Sequence, residues 1–279
     1  MNVEAYLRRI NYKVSRTVDV NNPNSDFLRD LHLAHLYAVP FENLDIHIGR
    51  EIICDETRIL HKIVDEHRGG FCYELNAAFA ALLRALGFRV TMLSARVGRQ
   101  DGSLGPEFDH LALRVDLDEP WLADVGFGEG FVEPLRLNSR LEQPQHGRLY
   151  RLNSLELPNS QQIGLDEVLS LQVMFEGKWK TEYAFKLRPC ELCDFEGMCH
   201  HHQTSTESYF TRQRICSLAT PEGRITLSDE KLIETQNGSR HERRIADNDV
   251  RRIVLRERFG VIMPGRTSPS ESFHNSPIG

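Results

Sequence analysis

The chain has 279 residues, of which 40% are hydrophobic and 27% are charged, and its formal net charge is −6. This composition is typical of a globular protein with its own core, and it excludes the strongly basic surface that nucleic acid or an anionic membrane would need. No apolar run is long enough to cross a membrane, and the amphipathic stretch from Met1 to Ile10 does not resemble a signal peptide. We therefore expect a cytoplasmic protein whose six cysteines are reduced thiols.

Helical periodicity dominates the first third of the chain. A short amphipathic helix at the start is followed by a second helix, which we predict to be capped by Ser25 or Asp26 and to end before Pro40. Asp55 is the expected cap of a third helix, and that helix must break at the two glycines further along the chain.

A cysteine follows those glycines, Gly69 and Gly70, at the predicted start of a fourth helix. This helix should run from Cys72 to a left-handed cap at Gly87. The unpaired N–H groups and the positive dipole end of a first helical turn stabilise a thiolate, so Cys72 is a candidate nucleophile. The alternative is a small buried structural cysteine. The expected core face of the helix comprises Leu75, Phe79, Leu82, Leu83 and Leu86.

From Phe88 the hydrophobic period changes to two, which predicts antiparallel strands in a small barrel or a strongly twisted sheet. Glu176 and Gly177 mark a hairpin between two of the later strands. The predicted inward positions of the earlier strands are Phe88, Val90 and Met92, then Leu111, Leu113, Val115 and Leu117, then Trp121, Ala123, Val125 and Phe127.

After about Cys190 the pattern is mixed. Two further hairpins are predicted, followed by a last helix that Asp247 caps and Gly260 ends, and the tail from Pro264 is expected to be loose. The hairpin signals are Pro221 to Gly223 and the dipeptide Asn237 and Gly238.

Two residues of the β region are candidates to activate the thiol. His110 begins a strand, and Asp124 lies in an otherwise apolar strand, where an unpaired carboxylate would be costly. They are 14 residues apart across a predicted hairpin. A turn centred on Leu117 would place them opposite each other, whereas a four-residue turn from Leu117 to Pro120 would place Leu113 opposite Asp124. Each residue also has a structural alternative, as a buried histidine or a strand-end carboxylate.

Four blocks of the sequence resemble the arylamine N-acetyltransferases, in the same order and at similar spacing. They are Val39 to Leu44, Arg68 to Asn76, the strand that begins with Asp109 and His110, and Asp124 to Gly128; a weaker likeness continues through Asp194 to Glu196 and Thr204 to Phe210. The resemblance implies an α+β fold with a cysteine-protease-like Cys-His-Asp core. It divides the chain into an N-terminal helical bundle (1–87), a central antiparallel β-barrel (88–190) and a C-terminal α/β lid (191–279) that includes the loose tail.

The resemblance also implies a ping-pong reaction. Cys72 would take acetyl from acetyl-coenzyme A as a thioester and pass it to an arylamine, an arylhydrazine or an arylhydroxylamine. His110 would be the base and Asp124 the carboxylate that orients it. The acceptor would lie against Phe41 and Phe127, with Gly126 allowing a close approach of ligand or backbone. No phosphate-binding glycine loop is visible, so the contacts of coenzyme A are left unassigned.

Two alternatives remain open at this point. The same three residues would serve a cysteine hydrolase or a transglutaminase-like enzyme. A cluster after the barrel, made of Cys190, Cys193, Cys199 and the histidines 200 to 202, would suit a zinc-dependent interaction module. We expect no metal, because these ligands crowd into one local stretch without a distant second pair and because the family that the chain resembles carries no metal there.

Overall fold

The structure, a computed structural model, describes residues 1–13, 23–155 and 167–263. Its N-terminal part is helical, as the sequence predicts. The elements are α1 (Val3–Arg9), α2 (Ser25–Ala38), a two-residue strand β1 (Phe41–Glu42), α3 (Leu44–Ile48), α4 (Glu56–Leu60) with a π-helical turn at His61–Asp65, and α5 (Cys72–Ala85).

The ends of these helices follow local side-chain chemistry. Asp55 caps α4 by accepting a hydrogen bond from the Arg58 amide at 2.9 Å, and Gly87 has a φ of +86° beyond the end of α5, as predicted. The predicted cap of α2 was wrong by one residue. Asn24, rather than Ser25 or Asp26, accepts the hydrogen bond from the amide of Phe27, at 2.9 Å.

An eight-stranded antiparallel sheet follows α5 and curls into a nearly closed barrel. Its strands are β2 (Arg89–Val97), β3 (His110–Asp116), β4 (Pro120–Ala123), β5 (Leu135–Arg136), β6 (Gln143–Gln145), β7 (Arg148–Ser154), β8 (Val168–Phe175) and β9 (Lys178–Cys190). Their spatial order is β5-β4-β3-β2-β9-β8-β7-β6. The turn at Glu176 and Gly177, with φ values of 47° and 76°, joins β8 to β9 as predicted.

The third part of the chain packs helices against a five-stranded sheet. Both predicted hairpins and the last helix, with its caps Asp247 and Gly260, are present, whereas the tail from Pro264 lies outside the described residues. The elements are a 3₁₀ turn (Leu192–Phe195), α6 (Glu196–Thr204), α7 (Tyr209–Arg212), β10 (Cys216–Thr220), β11 (Gly223–Leu227), β12 (Lys231–Gln236), β13 (Ser239–Arg244) and α8 (Asn248–Phe259).

The five-stranded sheet has the order β1-β10-β11-β12-β13, so its first strand comes from the N-terminal part of the chain. Phe41 pairs with Ser217, and Glu42 pairs with Cys216. The limits of the three predicted domains stay a prediction. Among the described helices, none combines the length and the apolar character that crossing a bilayer requires.

Helix α5 is the central element of the fold, since every residue from Cys72 to Leu83 is buried. Its start is fixed by five buried charged side chains, which we call the ionic cluster: Glu42, Asp45, Lys62, Arg68 and Glu74.

Within the ionic cluster, each cation contacts two carboxylates. Arg68 Nη2 lies 2.7 Å from Glu42 and 2.8 Å from Asp45, and Lys62 Nζ lies 2.9 Å from Asp45 and 2.7 Å from Glu74. Burial alone would lower the pKa of Lys62, but the surrounding carboxylates outweigh burial and raise it. Lys62 therefore stays charged inside the protein, whereas burial raises the pKa of its partner Glu74 despite the nearby cation.

The ionic cluster explains the two glycines. Glu74 accepts the amide of Phe71, the residue before α5, at 3.2 Å, so the carboxylate held by Lys62 also caps the helix. A Cβ on Gly70 would lie 2.7 Å from the Glu74 side chain, and one on Gly69 would lie 1.9 Å from the Pro40 carbonyl oxygen. At both positions the neighbouring atoms leave no room for the Cβ of any other residue.

We predict that Arg68→Met lowers the free energy of unfolding by about 3–5 kcal/mol, because it leaves the buried carboxylate of Glu42 without a paired cation and Asp45 with Lys62 alone. Urea denaturation measures this change. Arg29→Met is the matched control, since Arg29 pairs with Asp26 on the surface and should contribute less than about 1 kcal/mol. Equal effects of the two substitutions would contradict a structural role of the ionic cluster.

Candidate active site

Cys72 is the first residue of α5, and its side chain is almost fully buried. Burial raises the pKa of its thiol well above the usual value, and the negative charge of Asp124 raises it further. Hydrogen bonds from the amides of Leu111 and Tyr73 act in the opposite direction but do not outweigh burial. The helix N-terminus therefore favours the thiolate, as the sequence indicates, without being sufficient to form it. A base is required.

His110 and Asp124 form a buried pair. Nε2 of His110 donates a hydrogen bond to Oδ2 of Asp124 at 2.7 Å, and the two side chains are 2% and 1% exposed. Gly126, whose amide donates to Oδ1 of Asp124 at 2.9 Å, packs directly against Cys72, since a Cβ on Gly126 would lie 2.8 Å from the Cys72 Cα. The carboxylate that holds the imidazole therefore lies close to the start of α5. Since Nε2 is bonded to Asp124, Nδ1 is the ring nitrogen left for chemistry.

The register that brings the pair together is neither of the two considered from the sequence. The last pair of the hairpin is Leu113 with Ala123, which places Asp124 beside Ala112. His110 is the diagonal neighbour on the same face of the sheet, within reach of a carboxylate. The cause is a three-residue loop, residues 117–119, between the paired Asp116 and Pro120.

The strand predicted to reach Phe127 ends at Ala123, and the chain then turns onto α5. Asn76 holds this turn. Its Nδ2 donates to Oδ1 of Asp124 at 2.8 Å, and its Oδ1 accepts the Val125 amide at 2.9 Å. The Gly126 amide also donates to Asp124 Oδ1, at 2.9 Å.

These contacts determine the charge of Asp124. Burial alone would raise the pKa of its carboxyl, but His110 and the hydrogen bonds from Asn76 and Gly126 outweigh burial and lower it. Asn76 was missed by the sequence analysis. The available signal was its spacing, because residues four apart share one face of a helix and Asn76 lies four residues after Cys72.

His32 is a second residue that the sequence analysis missed. Its Nε2 accepts the amide of Asp124 at 3.1 Å, and its Nδ1 donates to the Val132 carbonyl at 2.8 Å. The imidazole is therefore neutral, and burial lowers its pKa to about 4. A polar residue on the buried face of α2 was the only signal, and it does not identify a partner 92 residues away.

Aromatic rings pack against the imidazole of the pair. The ring of Phe127 lies 5.1 Å from that of His110 and 5.1 Å from that of Tyr183. Phe41 lies beside the loop that carries Phe127, since a Cβ on Gly128 would be 4.0 Å from Phe41. Both phenylalanines, which were singled out from the sequence, are half-buried.

Gly126 is explained by a close approach of backbone. A Cβ at this position would lie 2.8 Å from the Cys72 Cα and 2.7 Å from Nδ2 of Asn76. Only glycine allows the loop to pack this tightly against the start of α5.

This chain is similar to known N-acetyltransferases. A family model described as N-acetyltransferase matches residues 25–267. Arylamine N-acetyltransferase 1 of Homo sapiens is 35% identical over 234 residues, which cover 80% of this chain and 79% of the human protein. Arylamine N-acetyltransferase 2 of Mus musculus is 30% identical and covers 96% of this chain and 97% of its own.

Solved structures agree. The arylamine N-acetyltransferase of M. tuberculosis superposes with a TM-score of 0.81 at 30% identity, over 93% of this chain and 94% of its own. The Mycobacterium marinum enzyme, solved in complex with CoA, has a TM-score of 0.81 at 29% identity, over 93% of each chain. The chain belongs to the arylamine N-acetyltransferase family.

The family, the fold class and the acyltransferase class expected for this N-acetyltransferase are thereby confirmed. Family membership also decides against a cysteine hydrolase or a transglutaminase-like enzyme.

The cysteine and histidine cluster of this N-acetyltransferase does not converge. Cys193 and His200 are exposed, Cys199 is buried, and Nε2 of His202 lies 3.1 Å from Oδ1 of Asp109. Within residues 1–13, 23–155 and 167–263, no group of three or more potential ligands is placed to hold a metal ion. The described residues thus give no support to the zinc module.

We predict that His32 makes the enzyme less stable in acid. Above pH 6.5 the imidazole is neutral in both the folded and the unfolded chain. Below it, the unfolded chain binds a proton that the folded protein accepts only near pH 4, so stability falls across this interval by about 1.4 kcal/mol per pH unit. Urea unfolding at several pH values should show a shallower dependence for His32→Gln. Parallel curves for the two proteins would contradict the prediction.

Proposed function

We propose that Cys72, His110 and Asp124 carry out acetyl transfer from acetyl-coenzyme A to small aromatic amines, hydrazines or hydroxylamines. The observation that supports this most directly is the buried hydrogen bond between His110 and Asp124, whose carboxylate is held by a loop that packs against the Cys72 backbone. Nucleophile, base and orienting acid are thus assembled in one buried region.

The first step moves a proton from the Cys72 thiol to Nδ1 of His110. The imidazolium that forms is stabilised by the Asp124 carboxylate, and the total charge of the three groups does not change during the transfer. Burial opposes loss of the proton to solvent much more strongly than this internal transfer. A thiol with a raised pKa is therefore compatible with a reactive cysteine.

The thiolate then attacks the acetyl carbonyl, and coenzyme A leaves as its thiol after taking the proton from His110. An arylamine attacks the resulting thioester, and His110 accepts its proton. Such amines are weakly basic and largely unprotonated at neutral pH, so they attack without first losing an ammonium proton. The almost complete burial of Cys72 limits access of water, which would otherwise hydrolyse the thioester.

Acetyl-coenzyme A is the proposed donor because the Mycobacterium marinum relative has been solved with CoA. For the acceptor we propose the half-buried face of Phe127, which offers an apolar, aromatic surface beside His110, together with Phe41, which lies next to the same loop at Gly128. The cytoplasmic location stays a prediction from the sequence.

Mass spectrometry after mixing with acetyl-coenzyme A should find one acetyl group, on the peptide that contains Cys72. Cys72→Ser should remove the adduct and the transfer activity. Asp124→Asn should retain the thiol but slow its acetylation by about 10²–10⁴-fold, because the imidazole loses its orienting charge. Cys193→Ser, at an exposed thiol, is the control. An adduct that persists in Cys72→Ser would refute the proposed nucleophile.

The acceptor surface can be tested separately, since a ping-pong reaction has two half-reactions. Phe127→Leu should reduce kcat/KM for an arylamine by roughly tenfold through lost aromatic contact, while acetylation of Cys72 by acetyl-coenzyme A changes less than about threefold. Phe175→Leu, at an exposed position, should change neither. A similar loss in both half-reactions would show that Phe127 supports His110 rather than the acceptor.

A further inference from the structure

A cavity of about 330 Å³ opens on the outer face of the barrel sheet, where β2 and β9 lie side by side. Ser94 and Arg96 line it, whereas Ala95, the residue between them, pairs with His110 on β3. Successive side chains of a strand point to opposite faces of a sheet, and directly paired residues share one face. The cavity and the His110 imidazole therefore lie on opposite faces of the sheet.

An irregular pairing of the two strands accounts for this cavity. Leu93 pairs with Pro189 and Ala95 with Phe185, so one residue of β2 lies opposite three residues of β9, 186–188. A bulge of this kind bends its strand and interrupts the ladder, and proline has no N–H with which to restore it. The opening thus follows from the course of the backbone rather than from the rotamers of surface side chains.

The inner wall of the cavity is held in place by hydrogen bonds. Phe108 lines it, and its amide donates to Oγ of Ser94 at 2.7 Å while its carbonyl accepts the Tyr73 hydroxyl at 2.7 Å. The φ of Phe108 is +64°, which is uncommon for an aromatic residue and persists only where surrounding contacts impose it. An apolar ligand would thus meet a fixed surface. The other apolar side chains of the lining include Leu104, Val168, Ala184 and Pro189.

The charges around the cavity favour an anion. Its charged lining consists of three cations and two carboxylates: Arg96, Lys186, Arg188, Glu107 and Asp194. Asp194 already caps the 3₁₀ turn, and Glu107 lies 3.9 Å from Lys186. Arg188 is exposed and forms no ion pair with any residue that the structure describes. Its guanidinium is therefore available to a carboxylate, which it can bind through two parallel hydrogen bonds.

We propose that this cavity is a second binding site, which takes a small organic anion with an aromatic body. Arg188 pairs with the carboxylate of the ligand, and the aromatic body lies against Phe108. The volume falls within the range of small-molecule pockets, roughly 300–1,000 Å³. The site is separate from the proposed acceptor surface, but it adjoins the start of β3, since Phe108 precedes His110 by two residues.

The half-buried Cys190 also lines the cavity, so its thiol can report whether a ligand is bound. In the full-length protein, 2-naphthoate should slow the alkylation of Cys190 by iodoacetamide, by about tenfold at ten times its dissociation constant. The exposed Cys193, which lies outside the cavity, should react at an unchanged rate. Mass spectrometry with fragmentation of the peptide distinguishes the two thiols.

The charge of the ligand is tested with 2-naphthamide, which has the same shape and no charge. The amide should require an about tenfold higher concentration for equal protection of Cys190, because it cannot form the charged hydrogen bonds. Arg188→Met should weaken protection by 2-naphthoate by a similar factor. Arg243→Met, at an exposed position of β13, is the control and should leave protection unchanged.

Equal protection by the acid and the amide would overturn the proposal, as would a parallel slowing of Cys193. So would full protection in Arg188→Met, or no protection of Cys190 in the wild-type protein at millimolar 2-naphthoate. The comparison of acid and amide requires only the wild-type protein, so poor folding of Arg188→Met would not protect the proposal. No measurement here depends on acetyl transfer.

Discussion

The site depends on the hydrogen bonds that the buried carboxylate of Asp124 accepts. It receives hydrogen bonds from the barrel through His110 and from α5 through Asn76, while the backbone amide of the same residue donates to His32 on α2. Three parts of the fold thus converge on one residue. A carboxylate bound by several donors keeps its charge inside a protein, and that charge holds the imidazole in the orientation that leaves Nδ1 unbonded by Asp124.

Burial gives this site its chemical character. The same burial that raises the pKa of Cys72 would keep water from the proposed thioester. Proton transfer between buried partners avoids the cost of a lone charge, so the enzyme does not need an exposed, permanently ionised thiolate. The helix N-terminus contributes less to ionisation of the Cys72 thiol than its position in the sequence suggests, because its hydrogen bonds compete with a larger desolvation penalty.

Local chemistry made much of the fold predictable. The turn at Asn237 and Gly238 and the caps Asp55 and Gly87 each depend on one or two residues and their own backbone, and all were predicted correctly. The proposed nucleophile, Cys72, was likewise singled out by a local feature, the junction between two glycines and a helix. Helix and strand periods are similarly local, which is why the order of helices, barrel strands and final mixed elements could be predicted.

Features that depend on distant partners could not be predicted. The pairing of His110 with Asp124 depends on the strand register set by the three-residue loop 117–119. This register differs from both of those considered from the sequence, which required either a four-residue turn or a turn centred on Leu117. His32 and Asn76 look like ordinary helix residues until their partner is known. Strand β1 has only two residues, too few for any period, and its partner strand lies some 170 positions later in the chain.

That short strand has a consequence for evolution and engineering. Phe41 and Glu42 form the edge of the C-terminal sheet, and Glu42 also binds Arg68. The sequences of the N-terminal and C-terminal parts of the chain therefore cannot vary independently where these strands meet. Exchanging the C-terminal third between homologues would graft a foreign β10 onto the native edge. A chimera that preserves the fold should take Phe41 and Glu42 from the same homologue as its C-terminal third.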